Sequence, residues 1–256
     1  GVDMDTEVTG FQKGHGRNMH SYFGICLPMS RVLLLDLDHT LYPSTVPTQT
    51  AVDAKITEYI RVHLNLPPNE ADALRRDFCE RYGTTLKGLE IAHGVDRERY
   101  CDFIQDLEDT LMPPPDPRMR EWLSKTVMRL PTYLFTNARR DWADRCLLTM
   151  GLSDFHPDVR ANEPSVGSLH GILDIGFMEW YGKPNAAAFI KAGNYIRNQH
   201  GDARLIFADD RLDNLDQAKA HGWTTVWVRP HDALSEAGSS HVTIDSLLEL
   251  DVESIP

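Results

Sequence analysis

The stretch "RVLLLDLDHTLYP", Arg31 to Pro43, joins a run of aliphatic residues to two aspartates, Asp36 and Asp38, set two positions apart. The run from Val32 is apolar without interruption, which is how a strand covered on both faces of a parallel sheet is patterned. An ionised carboxylate left unpaired in such an interior costs on the order of several kcal/mol. A buried strand that runs out into two of them therefore needs a compensating charge close by.

Three more runs share the pattern of "VLLLDLD" (32–38): "TYLFT" (132–136), "RLIFAD" (204–209) and "TTVWV" (224–228). Helical patterns lie between them, among them "DWADRCLLTM", "NAAAFIKAGNYIRN" and "LDNLDQAKAHG", the last ending in a plausible capping glycine, Gly222. Strand and helix in alternation predict an α/β fold, a Rossmann-like three-layer core around a parallel sheet. Residues 48–112 break the alternation. "AVDAKITEYIRVHL", "NEADALRRDFCERYG" and "RERYCDFIQDLEDTL" are helical in pattern with no strand among them, and proline-bearing segments, "YPSTVPT" and "MPPPDP", bracket them. The expected organisation is a loose tail over 1–29, an α/β core from 30–47 and 113–256, and an all-helical cap over 48–112.

Composition narrows the function classes. The chain has 256 residues and a net charge of −12, which argues against a broad basic face for a nucleic acid polymer. No apolar run is long enough to cross a bilayer, and "GVDMDTEVTGFQKGHGRNMH" lacks the apolar centre of a signal peptide. The four cysteines, Cys26, Cys79, Cys101 and Cys146, form no CxxC pair, so reduced thiols and a cytoplasmic location are expected.

In open α/β sheets ligands bind beyond the carboxyl ends of the strands. Residues two apart on a strand share a face, so Asp36 and Asp38 are expected to project into one crevice. Two carboxylates that close raise one another's pKa unless a cation joins them, and a hard cation with oxygen ligands means Mg²⁺. A capping aspartate beside a solvated one would also give "DLD". The other strand ends separate the two readings: "TYLFTN" ends in Thr136 and Asn137, and "RLIFADD" ends in the acidic pair Asp209 and Asp210. Lys183 stands in "YGKPN", ahead of the third of these runs.

DxDxT on a first strand, a Thr closing a second, an isolated Lys and then an acidic pair, in that order, resembles the haloacid dehalogenase-like hydrolase superfamily. The four elements are Asp36-Leu37-Asp38-His39-Thr40, Thr136, Lys183 and Asp209-Asp210. The helical insert resembles the superfamily's helical cap. The resemblance implies that Asp36 is a nucleophile forming an aspartyl-phosphate and that Asp38 is the acid and base. It implies that Thr136 and Lys183 bind phosphate oxygens. Mg²⁺ would be held by Asp36, the backbone carbonyl of Asp38 and Asp210, with Asp209 orienting Lys183 or a metal-bound water. Asn214 falls where many relatives carry another acid.

Asp38 points to phosphate rather than halide chemistry, since dehalogenases of the superfamily usually lack an acid there. "DHTLYP", "YGTTLKGL" (82–89) and "LFTNA" (134–138) together resemble the pyrimidine 5'-nucleotidase branch. That implies a small phosphorylated metabolite, a nucleoside 5'-monophosphate with pyrimidine preferred, met by Leu37, Asn137, Thr84 and Thr85. A sugar phosphatase is the alternative, and a non-catalytic binding protein the alternative of another class. Such a chain is expected to act as a monomer or homodimer. "YGTTLKGL" also fits a helix terminus capped by Gly83 with a threonine starting the next helix. His39 replaces the branch's usual Asn or Asp, and 156–184 is long for the segment before the Lys, with Trp180 and Tyr181 able to stack on a base or pack on the core.

Overall fold

The computed structural model describes residues 30–160, 167–231, 233 and 241–255. The expected tail over 1–29, Cys26 and residues 161–166 of the long segment lie outside the described residues. Six parallel strands form one sheet in the order β3-β2-β1-β4-β5-β6: β1 Arg31–Leu35, β2 Thr132–Phe135, β3 Gly171–Leu173, β4 Arg204–Asp209, β5 Thr224–Val228 and β6 Val242–Ile244. This is the doubly wound α/β architecture that the alternation predicts. Sequence order reverses between β1 and β4, and in such sheets the crevice at the reversal is where ligands bind.

The residues of β1 show why its pattern is unbroken. Val32, Leu33, Leu34 and Leu35 are all inaccessible to solvent. Leu33 and Leu35 enter one apolar cluster and Val32 and Leu34 the cluster on the opposite face, as the two-residue period of a strand demands. Each such side chain contributes roughly 1.5–3 kcal/mol of burial. α5 Pro117–Val127 and α6 Arg140–Thr149 cover the first face, and α7 Ala186–His200 and α8 Leu212–Ala220 the second.

Between β1 and α5 run four helices, α1 Thr48–Leu64, α2 Pro68–Tyr82, α3 Thr85–His93 and α4 Arg97–Gln105. They bury an apolar cluster of their own, with Ile56, Tyr59 and Ile60 of α1 spaced for one helix face against Phe78, Leu89 and Tyr100. The two connections to the sheet are tied together by Thr48 Oγ1, which donates to the Leu111 carbonyl at 2.6 Å. Arg145 of α6 clamps the outgoing connection through the carbonyls of Gln105 at 3.0 Å and Leu107 at 2.5 Å.

Three readings of the sequence change. Four strands were expected, and β3 and β6 are additional; each has three residues at a sheet edge, too short for a periodic signal. β1 ends at Leu35 rather than continuing through Asp38, because the backbone N–H groups of Thr40 and Leu41 both fold back onto the Leu37 carbonyl, at 3.3 and 2.9 Å. His39 takes a left-handed φ of 65° in that turn. Asp36 still pairs with the sheet through its N–H to the Ala208 carbonyl at 2.9 Å, but Asp38 lies in the turn, so a shared strand face is not what brings the two carboxylates together. Third, "TLKGLEIAH" is a separate helix, α3, where three helical patterns were expected in the insert.

α2 and α3 approach closely where Gly88 lacks a side chain: a Cβ there would lie 2.3 Å from Phe78 Cγ and 2.6 Å from Phe78 Cβ. Gly88→Ala gains about 1 kcal/mol in helix propensity but forces an overlap that costs about 1–3 kcal/mol. The overlap involves Phe78 Cβ, which moves only with its helix, so net destabilisation is expected. Thermal unfolding should show a lower midpoint for Gly88→Ala; a higher one would mean that the two helices separate without cost.

Candidate active site

Asp36 follows β1, Thr136 follows β2, and Asp209 closes β4 with Asp210 next in sequence. The sheet thus delivers all four side chains to the carboxyl-end crevice. Lys183 arrives on the loop after β3 and is 1% exposed. Its Nζ donates to Asp36 Oδ1 at 2.7 Å, Asp209 Oδ2 at 2.8 Å and the Phe135 carbonyl at 2.7 Å. All three ammonium protons have acceptors, the condition for keeping such a charge buried.

The loop that carries Lys183 is docked by Asn137. Its Oδ1 accepts from the Lys183 N–H at 2.7 Å and its Nδ2 donates to the Lys183 carbonyl at 2.9 Å. Gly182 permits this contact, since a Cβ there would meet Asn137 Oδ1 at 3.0 Å. Asn137 lines the cavity, yet its amide is engaged with the chain.

Asp209 is fully buried and both its oxygens are taken. Asn214 Nδ2 donates to each at 3.0 Å, and the Arg211 N–H donates to Oδ1 at 2.8 Å. This carboxylate orients Lys183, and Asn214 braces it. Asp210 is less committed: His39 Nδ1 stands 3.7 Å from its Oδ2. One oxygen from each of Asp36, Asp209 and Asp210 lies within 4.8 Å of the others.

The charge balance is uneven. Burial pushes Asp36 up to about 6 against the pull of Lys183, and pushes Asp209 up to about 6 against the same ammonium. Burial also raises Asp210, with His39 opposing. Burial disfavours charge on Lys183, but Asp209 and Asp36 outweigh it and hold the ammonium above its ordinary value. One resident cation faces three carboxylates, and the all-oxygen donor set of Asp36 and Asp210 fits a hard divalent cation.

Asp38 stands apart from the lysine. Its Oδ1 accepts from Tyr42 Oη at 2.6 Å and from Trp142 Nε1 at 3.1 Å. Neither donor carried a signal in the sequence beyond Tyr42 standing four residues on; Trp142 reaches Asp38 only through the packing of α6. Thr136 is 1% exposed, and its hydroxyl accepts from the Ala138 N–H at 3.0 Å, leaving its proton to be donated.

A cavity of about 410 Å³ opens between the sheet end and the helical insert, lined by Asp36, Asp38, Thr136, Lys183 and Asp210 below and by residues of α1 to α4 above. Thr84 and Thr85 both line it, but their hydroxyls also serve the fold. Thr84 caps α3 by accepting from the Lys87 N–H at 3.2 Å, and Thr85 donates to the Arg75 carbonyl at 3.0 Å. The helix-cap reading of "YGTTLKGL" therefore describes the structure, and each hydroxyl keeps further hydrogen-bonding capacity. Leu37 directs its side chain into the sheet core rather than into the cavity. Trp180 lines the cavity and packs against both sheet and insert, under the Arg97 guanidinium at 4.6 Å from its ring centre.

No family model matches the chain. Phosphate metabolism protein 8 of Saccharomyces cerevisiae is 29% identical over 141 residues, which span 52% of this chain and 43% of the yeast protein. Among solved structures, YfnB of Bacillus subtilis, assigned to the HAD-hydrolases and solved bound to magnesium, aligns with a TM-score of 0.53 at 16% identity over 86% of this chain and 96% of its own. The L-2-haloacid dehalogenase RSc1362 aligns with a TM-score of 0.51 at 16% identity over 86% and 98%. The fold is that of the haloacid dehalogenase-like hydrolases. At such identities the likeness carries the haloacid dehalogenase-like fold and leaves the reaction to the residues of the site.

Removing the ammonium leaves two buried carboxylates uncompensated. Lys183→Met is expected to lose about 3–5 kcal/mol of stability, measured by urea denaturation in chelator. A carboxylate whose folded-state pKa lies above its unfolded one protonates first in the folded state, so acidification stabilises the variant relative to neutral pH. The deficit should shrink between about pH 7.5 and about pH 5.5. A deficit independent of pH would assign it to lost packing instead of stranded charge.

Proposed function

We propose that the chain is a Mg²⁺-dependent phosphomonoesterase that works through an aspartyl-phosphate on Asp36, with nucleoside 5'-monophosphates, pyrimidine preferred, as substrates. The observation that carries this reading is the pairing of Asp36 with Lys183 beside a second carboxylate, Asp38, held by other donors. A site for displacing halide needs the nucleophile and the lysine. Asp38 adds a proton donor and acceptor, which an alkoxide leaving group requires. The yeast relative's name refers to phosphate metabolism, which agrees with phosphate as the group transferred.

Asp36 Oδ1 is held by Lys183 and Oδ2 accepts no hydrogen bond from the described residues, which leaves Oδ2 to attack phosphorus. As the ester P–O bond breaks, its electron pair goes to the leaving oxygen, which takes a proton from Asp38. In the second step Asp38 takes a proton from water, the water oxygen bonds to phosphorus, and the Asp36 O–P bond breaks to restore the carboxylate. Lys183 and Thr136 donate to phosphoryl oxygens as charge gathers on them. Asp36, Asp210 and the backbone carbonyl of Asp38 would hold Mg²⁺, whose charge when bound reconciles anionic carboxylates with an anionic phosphate.

The cavity volume suits a small leaving group bounded by the insert. The nucleotide assignment is supported by "DHTLYP", "YGTTLKGL" and "LFTNA", each of which contributes residues to the lining of this cavity. A release-of-phosphate screen with Mg²⁺ over nucleoside monophosphates and sugar phosphates tests the substrate class, and turnover confined to sugar phosphates would replace the nucleotide reading.

Asp36→Asn keeps the shape but loses the nucleophile and a metal ligand. Turnover should fall by roughly four orders of magnitude or more, as when other catalytic nucleophiles are removed. Activity within about tenfold of the unchanged protein would refute the covalent mechanism. Chelation should abolish phosphate release and Mg²⁺ restore it, whereas Ca²⁺, with more ligands at longer distance, should support little turnover.

A further inference from the structure

Asp38 is oriented by two ring donors that converge on one of its oxygens. Tyr42 Oη lies 2.6 Å and Trp142 Nε1 3.1 Å from Oδ1, while Oδ2 accepts nothing from the described residues. An indole N–H can only donate, so Oδ1 is an acceptor in this arrangement. A proton on Oδ1 would compete with both donors. Both rings are rigid, at 3% and 5% exposure, and belong to the large apolar cluster under the sheet. Tyr42 comes from the turn that follows Asp38, and Trp142 from the first turn of α6 after β2. Two independent segments thus aim their single polar atoms at the same carboxylate oxygen, and Asp38 itself lines the cavity.

We propose that Tyr42 and Trp142 are positioning residues that divide the labour between the two oxygens of Asp38. Oδ1 anchors the carboxyl group, and Oδ2 gives the proton to the leaving oxygen and takes one from water. This rests on the phosphatase reading above and adds which atom does the work and what holds it there. Without the anchors the carboxyl group rotates, and the proton is no longer aimed at the leaving oxygen. Substrate binding and attack by Asp36 do not depend on that aim. The loss therefore falls on esters whose leaving group needs a proton.

The test uses Tyr42→Phe, which keeps the ring, Trp142→Phe, which exchanges the indole for a smaller aromatic ring, and the double variant. Single-turnover rates are compared for ethyl phosphate, whose alkoxide must be protonated, and p-nitrophenyl phosphate, whose phenolate leaves readily. Both probes are small, so the outcome is separate from nucleotide preference. The double variant should lose roughly 10- to 100-fold on ethyl phosphate with an unchanged KM, the scale of hydrogen bonds to a charged group. On p-nitrophenyl phosphate it should stay within about threefold. In an Asp38→Asn background the same changes should cost nothing further, because residues acting through one group are not additive. Equal loss on both esters, no loss on either, or an additional loss in the Asp38→Asn background would overturn the assignment. Release of phosphate from neither ester by the unchanged protein would overturn the phosphatase reading itself.

Discussion

Lys183 Nζ lies 2.7 Å from Asp36 Oδ1 and 2.8 Å from Asp209 Oδ2, in a space where none of the three charges is tolerable alone. The contact joins the loop after β3 to the ends of β1 and β4, three segments far apart in the chain. Because the ammonium also donates to the Phe135 carbonyl at the end of β2, it ties four neighbouring parts of the sheet edge into one rigid floor. Buried pairs of this kind are weak contributors to stability. Their placement holds Asp36 Oδ1 while Oδ2 accepts no hydrogen bond from the described residues.

The remaining polar groups are arranged so that each supports one of these charges. Asn214 and the Arg211 N–H occupy Asp209, which keeps that carboxylate on the lysine. Asn137 fixes the lysine's own backbone on both sides of one residue. Asp38 is kept off the lysine by Tyr42 and Trp142. Two carboxylates from one short motif therefore meet different environments, and divergence of environment is how like groups take unlike chemical roles.

The helical insert closes the other side of the cavity through contacts with loops that already carry site residues. Arg139, three residues beyond Thr136, pairs with Glu98 at 2.9 Å and Asp102 at 3.0 Å on α4. Arg97 covers Trp180 on the loop leading to Lys183. Movement of the insert is thereby linked physically to the two loops that present Thr136 and Lys183.

Much of this was legible in the chain itself. The uninterrupted aliphatic run of Val32 to Leu35 marked a doubly covered strand, because a parallel sheet leaves it no polar face. The order of Asp36, Thr136, Lys183 and the Asp209-Asp210 pair pointed to the candidate site: Asp36, Thr136 and the acidic pair stand at ends of strands that sequence periodicity can place, whereas Lys183 stands on the loop between β3 and α7. What one dimension could not show was direction. The turn at His39 that takes Asp38 out of the strand, the burial of Leu37, and the use of Asn137, Thr84 and Thr85 to hold backbone groups depend on hydrogen bonds closed by the folded chain. Trp142 reaches Asp38 across 104 positions of sequence, and no local pattern encodes such a contact. The sequence determined which charges had to be neutralised, and only the tertiary structure decided which partner neutralises each, because pairing in a buried site depends on the packing of segments that are adjacent in space alone.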